Sequence, residues 1–107
     1  MTASYTTGDL RPDGSVRLDV AGDLDLSARS SLVEHVEPLL DGPAVTGVVI
    51  DLSAVDFIDS SCIGALVGCK HTADRLGRTL RVQGARGQVA EVFEMTGVAA
   101  VLGGPRP

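Results

Sequence analysis

Asp59, Ser60 and Ser61 stand in a row between an apolar segment that ends at Ile58 and an aliphatic one that begins at Ile63. Two hydroxyls directly after a carboxylate suit three kinds of chemistry. They can cap a helix, because short side-chain oxygens accept the orphan N–H groups of a first turn. A serine can serve as an acyl-transfer nucleophile. A serine at a helix N-terminus can also be the place where a phosphate is put on and taken off, since the free N–H groups there tolerate an anion. The nucleophile reading wants a G-x-S-x-G elbow. Ser60 is instead flanked by Ile58, Asp59, Ser61 and Cys62, and the two histidines, His35 and His71, fall inside helical segments. Hydrolysis is not expected.

Four other groups invite a chemical reading. Asp51 closes the "VVID" segment, where a phospho-accepting aspartate would sit. That chemistry also needs an acidic pair after the first strand and a lysine late in the chain, and the one lysine, Lys70, lies mid-helix. Cys62 falls in a first helical turn, where a thiol's pKa can drop. Its place on an apolar stripe makes it a small buried hydrophobe instead. Asp25, Asp56 and Asp59 are oxygen donors of the type Mg²⁺ takes, but nothing in their spacing demands a metal. The "GARG" run at 84–87 lacks the length and the lysine of a phosphate-cradling loop and reads as a turn. No metal and no cofactor are expected.

These residues need elements to hold them. "SVRLDVAG" alternates, with Val16, Leu18 and Val20 on one side and Arg17 and Asp19 on the other, as in a half-buried strand. "RPDG" at 11–14 is a turn, which makes the segment around Ala3–Thr7 a hairpin partner. Leu32, Val33, Val36, Leu39 and Leu40 recur at helical spacing, so a helix is expected over 27–40, with Ser27 as N-cap. Pro38 is expected to kink it or stop it early. "VTGVVIDL" is an uninterrupted apolar run, as in a central strand, with a loop after "DLS". A helix follows over 61–76, with Gly77 as its stop. "TLRVQG" is a short strand, 87–96 a last long helix, and "VAAVL" a short packed segment. The order β, β, α, β, α, β, α predicts an α/β fold with one small mixed sheet of four or five strands and helices packed mainly on one face.

The composition fits one compact domain over 1–107, with a core at about 3–102 and a loose tail at 103–107. A chain of 107 residues buries roughly two-thirds of its surface on folding. With 44% apolar residues but only one Tyr, two Phe and no Trp, the core must be aliphatic. A net charge of −5 argues against nucleic acid, which rewards clustered Lys and Arg, and against an anionic membrane surface. No apolar run approaches the ~20 residues of a bilayer span, and "MTASYTTGDL" has no signal-peptide character. A cytoplasmic location is expected. Cys62 and Cys69, seven positions apart on a helix, lie about 10 Å apart along its axis and cannot pair.

"GDLDL" after the second strand, "VVIDLSAVDFIDSSCIGAL" through strand and helix, and "VAEVFEMTGV" in the last helix together resemble the STAS domain. Within it they look most like the stand-alone bacterial anti-sigma factor antagonists, over about residues 3–102. The resemblance implies a non-enzymatic binding module. Its partner is an anti-sigma factor that is also a serine kinase and carries the ATP. The unphosphorylated antagonist binds that partner and so regulates sigma-factor-dependent transcription. Phosphorylation of Ser60 releases it, and a PP2C-type phosphatase restores it. Asp59 and Ser61 flank the acceptor, and Asp25 is the aspartate of the Gly-acidic-Leu-Asp turn beside it. Cys62 stands where the family usually has glycine. A STAS subunit supporting a transporter, or an adaptor in a larger stress-sensing assembly, shares the fold and is the alternative.

Helical periodicity adds one open question. On the helix from Ser61 the buried stripe is Cys62, Leu66, Cys69, Ala73 and Leu76. Ile63 and Val67 project about 100° to one side of it, flanked by Lys70 and Asp74. They either pack under a neighbouring helix or face outward as an apolar docking surface beside Ser60.

Overall fold

The computed structural model describes residues 3–103. Its elements are β1 (Ser4–Thr7), β2 (Ser15–Leu24), a 3-10 turn (Leu26–Ala28), α1 (Arg29–Leu40), β3 (Gly47–Ile58), α2 (Ser60–Arg75), β4 (Thr79–Gln83), α3 (Gly87–Thr96) and α4 (Ala99–Leu102). One four-stranded sheet runs in the order β1-β2-β3-β4. β1 is antiparallel to β2, and β3 is parallel to both β2 and β4. This is the mixed sheet that the element order predicts. Gly103 makes an isolated parallel bridge to Val82, so the stretch expected to be a loose tail begins tethered to the sheet. Its remaining residues, 104–107, lie outside the described residues.

The apolar faces of the strands and the buried sides of all four helices join in one aliphatic cluster. Leu18, Val20 and Leu24 enter it from β2, Ile50, Leu52, Val55 and Ile58 from β3, and Leu80 and Val82 from β4. Phe93 of α3 is the largest fully buried side chain. Each such side chain contributes about 1.5–3 kcal/mol on burial. Arg17, Asp19, Arg81 and Gln83 point to the opposite, polar face of the sheet, as strand alternation requires.

Asp51 is the one buried charged residue among the described residues, 8% exposed, and it lies on that polar face. Its carboxylate accepts hydrogen bonds from Arg17 Nη2 (3.1 Å), Gln83 Nε2 (3.0 Å) and the Ser53 backbone N–H (2.9 Å). Burial alone would raise the Asp51 carboxyl. The Ser53 and Gln83 bonds and the Arg17 charge outweigh it and hold the group below the usual carboxylate range.

Four expectations from sequence need correction. β3 does not end at "DLS" but continues to Ile58. Two register shifts against β2 insert extra residues, so that Asp19 faces Asp51, Ala21 faces Ala54 and Asp23 faces Phe57. The N-cap before α1 is Asp25, not Ser27: its Oδ1 accepts from the Ser27 N–H (3.1 Å) and hydroxyl (2.6 Å) and caps the 3-10 turn that precedes the helix. Pro38 does not stop α1 early: the helix runs on to Leu40. Pro38 and Glu34, whose carbonyl loses its N–H partner there, are both exposed, and solvent can supply the donor. Leu76 is 44% exposed, because α2 ends at Arg75 and Leu76 turns away in the C-cap.

Candidate functional site

β2 and β3 end side by side, with Leu24 opposite Ile58 and the Asp59 N–H donating to the Leu24 carbonyl at 3.1 Å. That bond sets where α2 starts. β4 stops opposite Asp51, so the outer edge of β3 beyond it has no strand partner. Side chains from the α3 end fill the gap. Arg86 Nε donates to the Ser53 carbonyl at 2.6 Å. The Gln88 amide meets both the N–H and the carbonyl of Ile58, at 3.0 Å each. Asp59 is thus anchored from both sides through its neighbour Ile58.

Asp59 has the extended backbone of an N-cap, and its Oδ1 accepts from the Cys62 N–H at 3.1 Å and from the Ser61 hydroxyl at 2.6 Å. Ser61 is half-buried and its hydroxyl is committed to this bond. Ser60, the first residue of α2, is exposed, and its hydroxyl has no hydrogen-bond partner among the described residues. The two adjacent serines are therefore chemically distinct: one locked, one free.

Asp25 lies beside this turn. Its carbonyl accepts from the Cys62 thiol at 3.2 Å, while its carboxylate is turned to Ser27, which lowers its pKa. Cys62 is fully buried, and burial, then the negative charge of Asp59, pushes its thiol up. Burial pushes Cys69 up to about 11. Both cysteines are free thiols and both are protonated at neutral pH. The carboxylates of Asp25, Asp56 and Asp59 are each engaged by a different partner, Ser27, Arg86 and Ser61 respectively. Among the described residues no three His, Cys, Asp or Glu side chains gather as a metal site.

Of the two alternatives left open for Ile63 and Val67, the structure takes the inward one, and they form no outward docking surface. Ile63 is 6% exposed and belongs to the core cluster, and Val67 is half-buried against it. α2 touches α1 and α4 as well as the sheet, so its buried arc is wider than one stripe. The solvent side of α2 carries Ser60, Gly64, Gly68 and His71 instead. A Cβ built on Gly64 or Gly68 would meet nothing within 4 Å. Two large apolar side chains stand out near the same strand ends: Leu26, 70% exposed, directly after Asp25, and Phe57, 40% exposed, two residues before Asp59. Arg29, exposed, donates from Nε to the Ser61 carbonyl at 3.3 Å. Sequence reading passed over Gln88, Arg29 and the two glycines. The open-space glycines inside a helix were a legible signal; the contacts of Gln88 and Arg29, some 30 residues along the chain, were not.

No helix of the described residues is long and apolar enough to cross a membrane. A curated relative, the anti-sigma-B factor antagonist of Bacillus subtilis (strain 168), is 23% identical over 90 residues, spanning 84% of this chain and 81% of its own. An anti-sigma factor antagonist from Mycobacterium paratuberculosis superposes with a TM-score of 0.81 at 22% identity, over 98% of this chain and 86% of that one. The antagonist SpoIIAA in its unphosphorylated form gives 0.78 at 18% identity, over 94% and 87%. In its phosphorylated form, described as a Bacillus cell fate determinant, it gives 0.71 at 17%, over 94% and 90%. These likenesses carry the fold, and a family profile described as "Mlab, STAS domain" matches residues 9–103, so the chain belongs to the STAS domain family.

Proposed function

We propose that this protein is an anti-sigma factor antagonist, a binding module switched by phosphorylation of Ser60. The observation that carries the reading is the difference between the two serines: the Ser60 hydroxyl is exposed and free, and the Ser61 hydroxyl is held by Asp59. The curated relative and the antagonists among the fold neighbours support the same class. That SpoIIAA carries this fold in both forms fits a switch that changes charge more than architecture.

In this reading the partner is a cytoplasmic anti-sigma factor that binds ATP and acts as a serine kinase. It transfers the γ-phosphoryl group to Ser60 Oγ, the hydroxyl proton leaves to a base on the kinase, and ADP departs. The product carries about −1.5 to −2 additional charge beside Asp59, on a protein already at −5. Repulsion and desolvation then oppose the docked state while the cap remains. A PP2C-type phosphatase hydrolyses the ester and resets the module. The partner surface comprises the solvent side of α2 along Ser60, Gly64 and Gly68, flanked by Leu26 and Phe57, with Asp25, Asp59 and Ser61 shaping the acceptor turn and Ile63 and Val67 supporting α2 from within.

The test is incubation with the cognate kinase and ATP, followed by phosphosite mapping. Modification at Ser60, its loss in Ser60→Ala, and release of the partner from the modified protein are expected. Modification of Ser61 in its place would overturn the site. Stable partner binding without any modification would favour an accessory subunit of a transporter or of a larger assembly.

A further inference from the structure

Arg29 occupies a position where, among the described residues, no acid pairs with it in the unmodified protein. It is the first residue of α1, and its Nε rests on the Ser61 carbonyl in the first turn of α2. The N-terminal ends of both helices carry partial positive charge, which disfavours a guanidinium. Neither first turn contains an acidic residue that would compensate it. Asp59 and Asp25 lie close by, yet Arg29 forms an ion pair with neither among the described residues. Among the described residues its single hydrogen bond is to a neutral carbonyl, and its two Nη groups have no acceptor.

We propose that Arg29 is the intramolecular partner of phosphorylated Ser60. The proposal rests on the reading of Ser60 as the acceptor and names the residue that receives its phosphate. Adjacent residues have Cα atoms about 3.8 Å apart, so a guanidinium anchored at Ser61 stands one residue from the modified side chain. The Nη groups then exchange water for phosphate oxygens. A guanidinium fork matches a phosphate in geometry, and the charge-assisted bonds are stronger than the one to the Ser61 carbonyl. Without Arg29 the dianion would sit next to the Asp59 carboxylate with no cation, among the described residues, touching the first turn of α2. Arg29 thereby makes the phosphorylated form a settled state of the domain and withdraws its own charge from the surface that the partner meets.

The experiment installs phosphoserine at position 60 by genetic encoding, so no kinase is needed, and titrates its phosphate by ³¹P NMR. The second ionisation of phosphoserine lies near 6 when unperturbed. With Arg29 present it should lie about half a unit or more below its value in Arg29→Gln, with Arg29→Lys keeping part of the difference. The Arg29 Nε–H resonance should move through the same titration in the native sequence. Equal ionisation in the native and Arg29→Gln proteins, or a stationary Nε–H signal, overturns the proposal. Arg29 is exposed, so the unmodified Arg29→Gln protein should keep its native circular dichroism. If it does not, the Nε–H titration and the lysine variant decide alone. Because the phosphate is installed and not transferred, a failure here is separate from a failure of the kinase to choose Ser60.

Discussion

The Ser61 hydroxyl donates to Asp59 Oδ1 at 2.6 Å, and the same oxygen takes the Cys62 N–H. One carboxylate atom thus caps α2 and withdraws one of two neighbouring serines from chemistry. A kinase approaching this turn meets a single free hydroxyl. Ser61→Ala should therefore leave phosphorylation of Ser60 at its native extent, read by mass spectrometry of the modified peptide. A loss of Ser60 modification in that variant would mean that the kinase reads the second hydroxyl directly.

Asp59→Ala should weaken the fold through the same bond. Loss of an N-cap side chain costs about 1 kcal/mol, which lowers the melting temperature of a domain this size by roughly 4 °C. Asp59→Asn keeps an acceptor for the Cys62 N–H and should recover most of that loss. An unchanged melting temperature in Asp59→Ala would show that the cap is dispensable and that Asp59 matters only for charge.

Gln88→Ala removes the pairing of the Ile58 N–H and carbonyl, both part-buried. Leaving those groups unsatisfied costs about 1–3 kcal/mol. The effect should concentrate at the end of β3. Hydrogen exchange at the Ile58 and Asp59 amides should accelerate more than exchange at Val48 or Ile50. Uniform acceleration across β3 would mean that Gln88 acts on global stability and not on the placement of the Asp59 turn.

Asp51 predicts a pH dependence of known sign. Its pKa in the folded protein lies below the usual carboxylate range. The ionised form is therefore favoured by folding. Its contribution is fully present above the unfolded carboxylate pKa of about 4 and fades as pH falls through the lower folded value. Asp51→Asn should be destabilised by about 1–3 kcal/mol at neutral pH, and the gap to the native protein should narrow below pH ~4. Denaturant unfolding at pH 7 and pH 3 measures it. A gap that stays constant with pH would assign the loss to packing and not to ionisation.

The sheet and the Asp-Ser-Ser turn were legible because their signals are local. Val16, Leu18 and Val20 alternate with polar neighbours, and the run around Val48 to Ile50 is apolar throughout, so strand identity needed no tertiary knowledge. β3 beyond Asp51 was not legible. Its inward residues Ile50, Leu52, Val55 and Ile58 are spaced two, three and three apart, and a period of two breaks wherever a bulge adds a residue. The "DLS" motif reads in retrospect as a bulge signal, with the Asp51 carboxylate taking the Ser53 N–H. On α2 the helical projection found the stripe Cys62, Leu66, Cys69 and Ala73 but left open whether a second element covers Ile63 and Val67. The sheet, α1 and α4 all touch that helix, and Ile63 lies inside with the core. The surroundings of Ser60 were hidden for a different reason: Asp59 takes the Ser61 hydroxyl by side-chain geometry, and Arg29 reaches the Ser61 carbonyl from another helix.

The last prediction separates stability from binding on α2. Gly64 and Gly68 are exposed, lie in the middle of the helix, and have open space where a Cβ would be. Glycine in a helix interior costs about 1 kcal/mol relative to alanine, so stability does not explain either one. A partner that approaches the backbone closely beside Ser60 does explain them, because any side chain there would hold it away. Gly64→Ala should raise the melting temperature by roughly 4 °C. Gly64→Leu, also a good helix former, should remain folded and at least as stable as the native protein, yet lose affinity for the unphosphorylated-state partner by about tenfold or more, a cost of about 1.4 kcal/mol. Thermal unfolding and a binding titration on the same two variants give both readouts. If Gly64→Leu is stabilised and still binds at native affinity, the partner does not dock along this side of α2, and the surface around Leu26 and Phe57 must carry the contact alone.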